Sequence, residues 1–249
     1  MPIERILVVN GSPRGNNSNT RVMIDEFLKG AGKAGADSEI VTLAEKQIEH
    51  CLGCFFCWTR TPGECVLDDD MEDLLPKLDT DLLVFATPLY VDNVTGLTKN
   101  FMDRMIPLLD PHIGIDEGGE CAHDMRSGRS PLIAVVSNCG FAGMSHFQVL
   151  RLLFRRVARN LRSKVVAEIY RDMGGLLTAR SILLKPLRAS YKKNLRKAGR
   201  EVVENGGISD ITQHKLQRPL IPRKKYVEAV NKQFDKTLSK LEESRPEEE

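Results

Sequence analysis

The chain has 249 residues, 41% of them hydrophobic and 28% charged, which suits one large α/β core and falls short of two full domains. With 36 basic against 34 acidic side chains the formal net charge is +2, too small to argue for nucleic acid or a membrane surface as partner. No apolar run approaches the roughly 18 residues that cross a bilayer, and the start, Met1-Pro2-Ile3-Glu4-Arg5 before a short apolar run, has no signal-peptide core, so a cytoplasmic protein with reduced thiols is expected.

Ile6-Leu7-Val8-Val9 is continuously apolar, as a strand buried on both faces should be, and it ends at Asn10-Gly11. A glycine-, serine- and asparagine-rich loop runs to Thr20. A helix follows, with Val22, Ile24, Phe27, Leu28 and Ala31 on one face and Gly32 and Gly35 as stops. Ser38 to Leu43 reads as a second strand. Asp68-Asp69-Asp70 caps a helix carrying Met71, Leu74, Leu75 and Leu78. Asp81 to Ala86 is a third strand, followed by a helix with Leu97, Phe101, Met102 and Met105. Residues Pro111 to Arg129 read as a long polar loop, a lid or partner contact. Leu132 to Val136 is a fourth strand, Val149 to Leu161 a helix face and Lys164 to Tyr170 a fifth strand.

Strands alternating with helices imply a parallel sheet covered on both faces. Five strands fit the doubly wound order 2-1-3-4-5 with right-handed crossovers. Residues 1–175 read as this domain and 176–249 as a helical extension packed on it. A basic helix is expected from Thr178 to Glu204, broken by Gly206-Gly207, and another from Tyr226 to Leu241. The extension is short of core residues, and the acidic tail Glu247-Glu248-Glu249 reads as disordered.

In an open α/β sheet, ligands bind outside the carboxyl ends of the strands. The loop after strand one offers Ser12, Ser18 and Thr20 hydroxyls, the Asn19 amide and the Arg14 fork at a helix amino terminus, which suits a phosphate. It contains neither G-x-x-x-x-G-K-[ST] nor G-x-G-x-x-G, and an ordinary capped βα turn is the plain alternative. Strand three ends in Thr87-Pro88-Leu89-Tyr90-Val91-Asp92-Asn93 and strand four in Ser137-Asn138-Cys139-Gly140. Both face the first loop across the switch point. Pro88, Leu89 and Tyr90 would wall a planar ring, with N–H groups of Asn93 and the Cys139-Gly140 turn on its polar edge. A rim aromatic and simple turn residues are the plain alternatives.

Gly11-Ser12-Pro13-Arg14 with Ser18-Asn19-Thr20, then Thr87-Pro88-Leu89-Tyr90, then Gly96-Leu97-Thr98-Lys99-Asn100-Phe101-Met102-Asp103-Arg104, resembles the NADPH-dependent FMN reductase family of flavodoxin-like proteins over roughly residues 1–170. The resemblance implies a three-layer flavodoxin-like fold and an FMN-dependent NAD(P)H oxidoreductase. It places the FMN phosphate on Ser12, Arg14, Ser18, Asn19 and Thr20. The flavin ring falls on Pro88, Leu89, Tyr90, Asn93, Ser137, Asn138, Cys139 and Gly140. It also implies a homodimer or homotetramer, with a small-molecule or protein electron acceptor.

Cys51, Cys54, Cys57 and Cys65 are spaced C-x2-C-x2-C-x7-C. Three thiols on one tight loop and a fourth nearby suit a [4Fe–4S] cluster better than structural zinc, which prefers two separated knuckles. The arrangement is similar to that of the iron–sulfur flavoproteins within the same family. A cluster-free flavin or quinone reductase with reduced thiols is the alternative, as is a non-catalytic module holding zinc or free thiols. Phe55, Phe56 and Trp58 are expected to pack an interface or shield the site, His50 to cap the loop, and Cys139 to pack as a small residue.

Overall fold

The structure, a computed structural model, describes residues 2–243. The acidic tail read as disordered lies outside the described residues. In chain order the elements are β1 (Arg5–Asn10), α1 (Asn19–Lys33), β2 (Asp37–Thr42), the single turns α2 (Phe56–Thr59) and α3 (Met71–Leu74), β3 (Leu82–Pro88) and α4 (Gly96–Asp103). Then come β4 (Leu109–Ile115), β5 (Cys121–Met125), β6 (Leu132–Asn138), α5 (Gln148–Asn160), β7 (Val165–Arg171), α6 (Lys185–Asn205), α7 (Asp210–Gln217) and α8 (Arg223–Glu243). Five strands form a parallel sheet in the order β2-β1-β3-β6-β7. That is the 2-1-3-4-5 winding expected, with the switch point between β1 and β3.

The sheet separates two apolar layers. Leu7, Val9, Leu83, Phe85, Ile133 and Val135 point to the side of α4 and α5, with Phe101 and Phe154. Ile6, Val8, Val84, Ala134 and Val136 point to the side of α1 and α6, with Phe27 and Leu195. All of β3 is buried, which is why it reads as a continuous apolar run.

The carboxyl-terminal third carries more core than the sequence suggests. Tyr191, Leu195, Ala198 and Val202 of α6 and Leu216 of α7 all join the second layer. Their spacing is helical, but a surrounding excess of Lys and Arg masks it. The helix begins at Lys185, later than the expected Thr178. Pro186 lies in its first turn, where the missing N–H costs nothing; further inside it would break the ladder. The separate helix α7 has only Ser209 as a local sign, and that hydroxyl accepts a hydrogen bond from the Thr212 N–H.

The expected polar loop from Pro111 to Arg129 is instead largely an antiparallel hairpin, β4 paired with β5. Its acidic groups face arginines of α5 and of the turn that follows it. Arg156 pairs with Glu120, Arg159 with Asp116 and Arg162 with Asp124. Arg156 and Arg159 of α5 therefore clamp this hairpin, while Arg151 and Arg155 pair with Glu168 of β7, and a one-sided, polar two-stranded ribbon leaves little periodic signal in sequence.

Helices α1 and α6 approach backbone to backbone. A Cβ on Gly199 would sit 1.9 Å from the Phe27 carbonyl oxygen, and one on Gly30 1.8 Å from that of Arg196. Buried Glu26 accepts hydrogen bonds from Lys29 on its own helix and from Arg196 across the contact. Gly199→Ala must push the helices apart, and a loss of about 1–3 kcal/mol is expected, to be read as a lower urea midpoint at unchanged slope.

Candidate functional site

The three loops at the carboxyl edge of the sheet are tied by buried hydroxyls. The Thr95 hydroxyl donates to the Gly11 carbonyl at 2.6 Å, and the Thr95 N–H donates to the Thr87 hydroxyl at 3.2 Å. The Thr98 hydroxyl lies 3.0 Å from that of Thr95 and donates to it, since the Thr95 proton is already committed. Gly11 is glycine of necessity, because a Cβ there would fall 1.8 Å from the Thr98 Oγ1. The Leu89 N–H donates to the Asn138 carbonyl at 2.9 Å, joining the second loop to the third.

Between these loops lies a cleft of about 220 Å³ lined by Ser12, Arg14, Ser18, Asn19, Thr20, Pro88, Leu89, Tyr90, Asn138, Cys139, Gly140, Gly175 and Tyr226. The structure thus brings together all the residues expected around a phosphate and a ring, except Asn93 and Ser137. Ser18 is occupied internally: its hydroxyl donates to the Gly15 carbonyl and accepts from the Arg21 N–H, capping α1. Other donors remain available. Thr20 accepts from the Asn138 amide at 2.8 Å and keeps its proton to give. Asn19 accepts from the Thr178 hydroxyl through Oδ1, which leaves its amide hydrogens. Arg14 has no ion-pair partner among the described residues. Helix geometry leaves the Asn19 and Thr20 N–H groups without an acceptor inside α1. This is a cradle for an anion at a helix amino terminus.

The opposite wall is less polar. Tyr90 and Asn93 exchange both backbone hydrogen bonds at 3.0 Å, so the Asn93 N–H expected to face a ring is spent on this small hairpin. Its tip, Val91 and Asp92, has φ of 49° and 56°. Such a turn wants Asn or Gly at both positions, and a β-branched residue there costs on the order of 1–3 kcal/mol. The strain is located at the rim of the cleft. The Cys139 N–H donates to the Arg171 carbonyl at 3.0 Å, and of the expected Cys139-Gly140 donors only the Gly140 N–H has no internal partner. Burial pushes the Cys139 thiol up to about 11, so it stays protonated and packs, as expected. Ser137 lies under the wall, fully buried, with an Oγ that has no protein partner.

Two wall residues escaped the sequence reading. Gly175 follows β7, and Tyr226 comes from α8, where its hydroxyl donates to the Gly140 carbonyl at 2.5 Å. Nothing local marks Tyr226, because only the return of α8 brings it to the cleft. Arg171 and Asp172, a fully buried ion pair, stiffen this side: Asp172 accepts from the Gly143 N–H at 2.9 Å.

The cysteine loop sits elsewhere on the molecule, against α4 and the β4–β5 hairpin. Cys51, Cys54, Cys57 and Cys65 line one cavity with Arg104 and Ile106. Cys51 and Cys54 are exposed, Cys65 is half-buried and Cys57 is turned inward. Gly53 and Phe55, both at positive φ, make these reversals. Burial, then the charges of Cys65, Cys54 and Cys51, pushes the Cys57 thiol up. Among the described residues no three His, Cys, Asp or Glu side chains converge as a metal-ion site. Trp58 shields the loop within the chain, donating to the Ile106 carbonyl and packing on His123. His50 ties to Asn100 at 3.1 Å.

One buried ion pair holds this loop. Arg104 donates to both Asp69 carboxylate oxygens, at 2.5 and 3.0 Å, and to the Glu49 carbonyl at 2.7 Å. Asp69 also accepts from the Glu49 and Met71 N–H groups.

The winding, the switch-point cleft and its anion cradle define a flavodoxin-like protein. The chain matches the NADPH-dependent FMN reductase family over residues 4–170 and belongs to it. It is 31% identical over 105 residues to an iron–sulfur flavoprotein of Methanocaldococcus jannaschii, covering 42% of this chain and 53% of that one. It is 40% identical over 98 residues to an iron–sulfur flavoprotein of Archaeoglobus fulgidus, covering 39% and 43%. The chain thus spans about half the length of the curated relatives it matches. Its fold is similar to that of an NAD(P)H:quinone oxidoreductase from Methanothermobacter marburgensis, with a TM-score of 0.58 at 13% identity over 81% of this chain and 98% of that one. An FMN-dependent NADH-azoreductase from Bacillus anthracis gives 0.56 at 14% identity over 81% and 100%.

Burial resists ionisation of Asp69, but the Arg104 and backbone hydrogen bonds outweigh it and hold the carboxyl below the usual range. Its contribution is therefore complete above about pH 4 and is lost as pH falls through the lowered value. Asp69→Asn strands the Arg104 charge and should cost about 3–5 kcal/mol at pH 7. Denaturant titrations of both proteins at pH 7 and pH 3 should show the gap narrowing in acid.

Proposed function

We propose that this chain is an FMN-dependent NAD(P)H oxidoreductase, acting in the cytoplasm as a homodimer or homotetramer. The supporting observation is one cleft at the switch point that joins an anion cradle to a partly apolar wall. Arg14, Ser12, Asn19 and Thr20 hold the phosphate, with the α1 amino terminus behind it. Pro88, Leu89 and Tyr90 cover one side of the ring. Asn138, Cys139 and Gly140 border its polar edge. Bound there, FMN would supply hydride acceptance from NAD(P)H and electron transfer to a small-molecule or protein acceptor. The chain contributes binding and orientation: the neutral Cys139 thiol adds no charge beside the ring, and the threonine ties between the loops keep the cradle at a set distance from the wall.

The four cysteines are proposed to be thiols, a reading supported by the lack, among the described residues, of three converging metal-ligating side chains. The relatives' names and the shared cavity favour a second reading, in which Cys51, Cys54, Cys57 and Cys65 hold an iron–sulfur cluster. Protein purified without air and analysed for flavin, iron and labile sulfide decides between them. Stoichiometric flavin with no iron is the expected result, and about four irons per chain would establish the second.

Arg14→Ala should weaken FMN binding roughly 10–100-fold, the worth of a charge-assisted contact to phosphate. Riboflavin, which lacks the phosphate, should bind wild type and variant alike. Fluorescence titration with both flavins measures this, and equal losses for the two would mean that Arg14 does not meet the phosphate.

A further inference from the structure

Helix α8 packs on the body at its beginning. Tyr226 is buried with Ala142 and Met173, and Val230 packs against the same small cluster. From Asn231 to Glu243 every residue is exposed. An apolar stripe nevertheless continues along it at helical spacing, with Val227 45%, Phe234 60% and Leu238 56% exposed. A solvated arm has no use for this stripe.

The charges on α8 show what covers it. Arg223, Lys224 and Lys225 occupy the first turn, with no acidic residue among them, and the last described turn carries Glu242 and Glu243 beside Lys240. Cations at the positive end of a helix dipole and anions at the negative end are each unfavourable. The wholly basic first turn is unfavourable for a helix standing alone, and an antiparallel copy would bring Glu242 and Glu243 against it. Lys224 and Glu242 are about five helical turns apart, so they project from one flank of the stripe. In a two-fold antiparallel pair, like flanks face each other and the stripe folds onto itself near Phe234. Neither Lys224 nor Glu242 has an ion-pair partner among the described residues.

We infer that α8 is a self-association seam on which a second copy of this chain docks antiparallel, Lys224 of one copy facing Glu242 of the other. Such a pair is isologous and closed, so each subunit is bound through the same patch. This gives the proposed homo-oligomer a surface. It also reaches the cleft, because the helix that pairs is the one whose first turn supplies Tyr226.

Sedimentation velocity across a range of protein concentrations tests the seam, independently of flavin. Wild type should dimerise, or show this step within a larger assembly, and Phe234→Glu should remove the step with the helical circular dichroism unchanged. Lys224→Glu and Glu242→Lys should each weaken it roughly tenfold, since each places two like-charged pairs across the seam. The double variant should restore it, which a parallel pairing would not produce. A monomeric wild type, an assembly indifferent to Phe234→Glu, or charge reversals that fail to compensate would each overturn the assignment. An assembly that persists through all of these variants would keep the homo-oligomer but place its interface elsewhere. FMN binding measured on the same samples shows separately whether the flavin reading stands.

Discussion

The cleft depends on one buried contact, the hydroxyl of Thr95 on the carbonyl of Gly11. A parallel sheet ends in backbone groups that the ladder no longer satisfies, and burying them unpaired is costly. Here three threonines take up that role at the end of β3 and the start of α4, and they carry the first loop with them. The separation between the anion cradle and the Tyr90 wall follows from this tie. Gly11 is part of the same constraint, because the Thr98 hydroxyl occupies the place of a side chain.

Two other close contacts set what surrounds the cleft. The glycines of α1 and α6 let those helices touch, so α6 covers the face that β6 and β7 would otherwise expose. The pair Arg104–Asp69 fastens the long excursion between β2 and β3, which carries the cysteines, to α4. That pair is almost wholly buried. Such a pair is poor evidence of stability in itself, but it specifies one placement of the loop strongly, because separating the charges inside the protein is expensive.

Helix α8 belongs to both halves of the molecule's chemistry. Its first turn closes the cleft through Tyr226, while its later turns present an apolar face to the exterior. A single helix with these two ends links the environment of the ligand to whatever lies on that face.

The sequence by itself determined the winding order and the location of the cleft. Strands buried on both faces, such as Leu82 to Ala86, read as unbroken apolar runs, and local turn chemistry marks the loops that follow them. It also supplied nearly the whole wall, since residues at strand ends share an edge whatever the details of packing. The hairpin of β4 and β5 was not legible, because ion pairs with α5 hold it rather than alternating hydrophobicity. The core role of α6 was hidden by its basic face. Tertiary structure alone decided the rest. Tyr226 enters the cleft from a distant part of the chain, Ser18 turns its hydroxyl inward to cap α1, and Cys57 is buried while Cys51 and Cys54 are exposed. Spacing gives the reach of a side chain along the chain, but its direction depends on what packs around it.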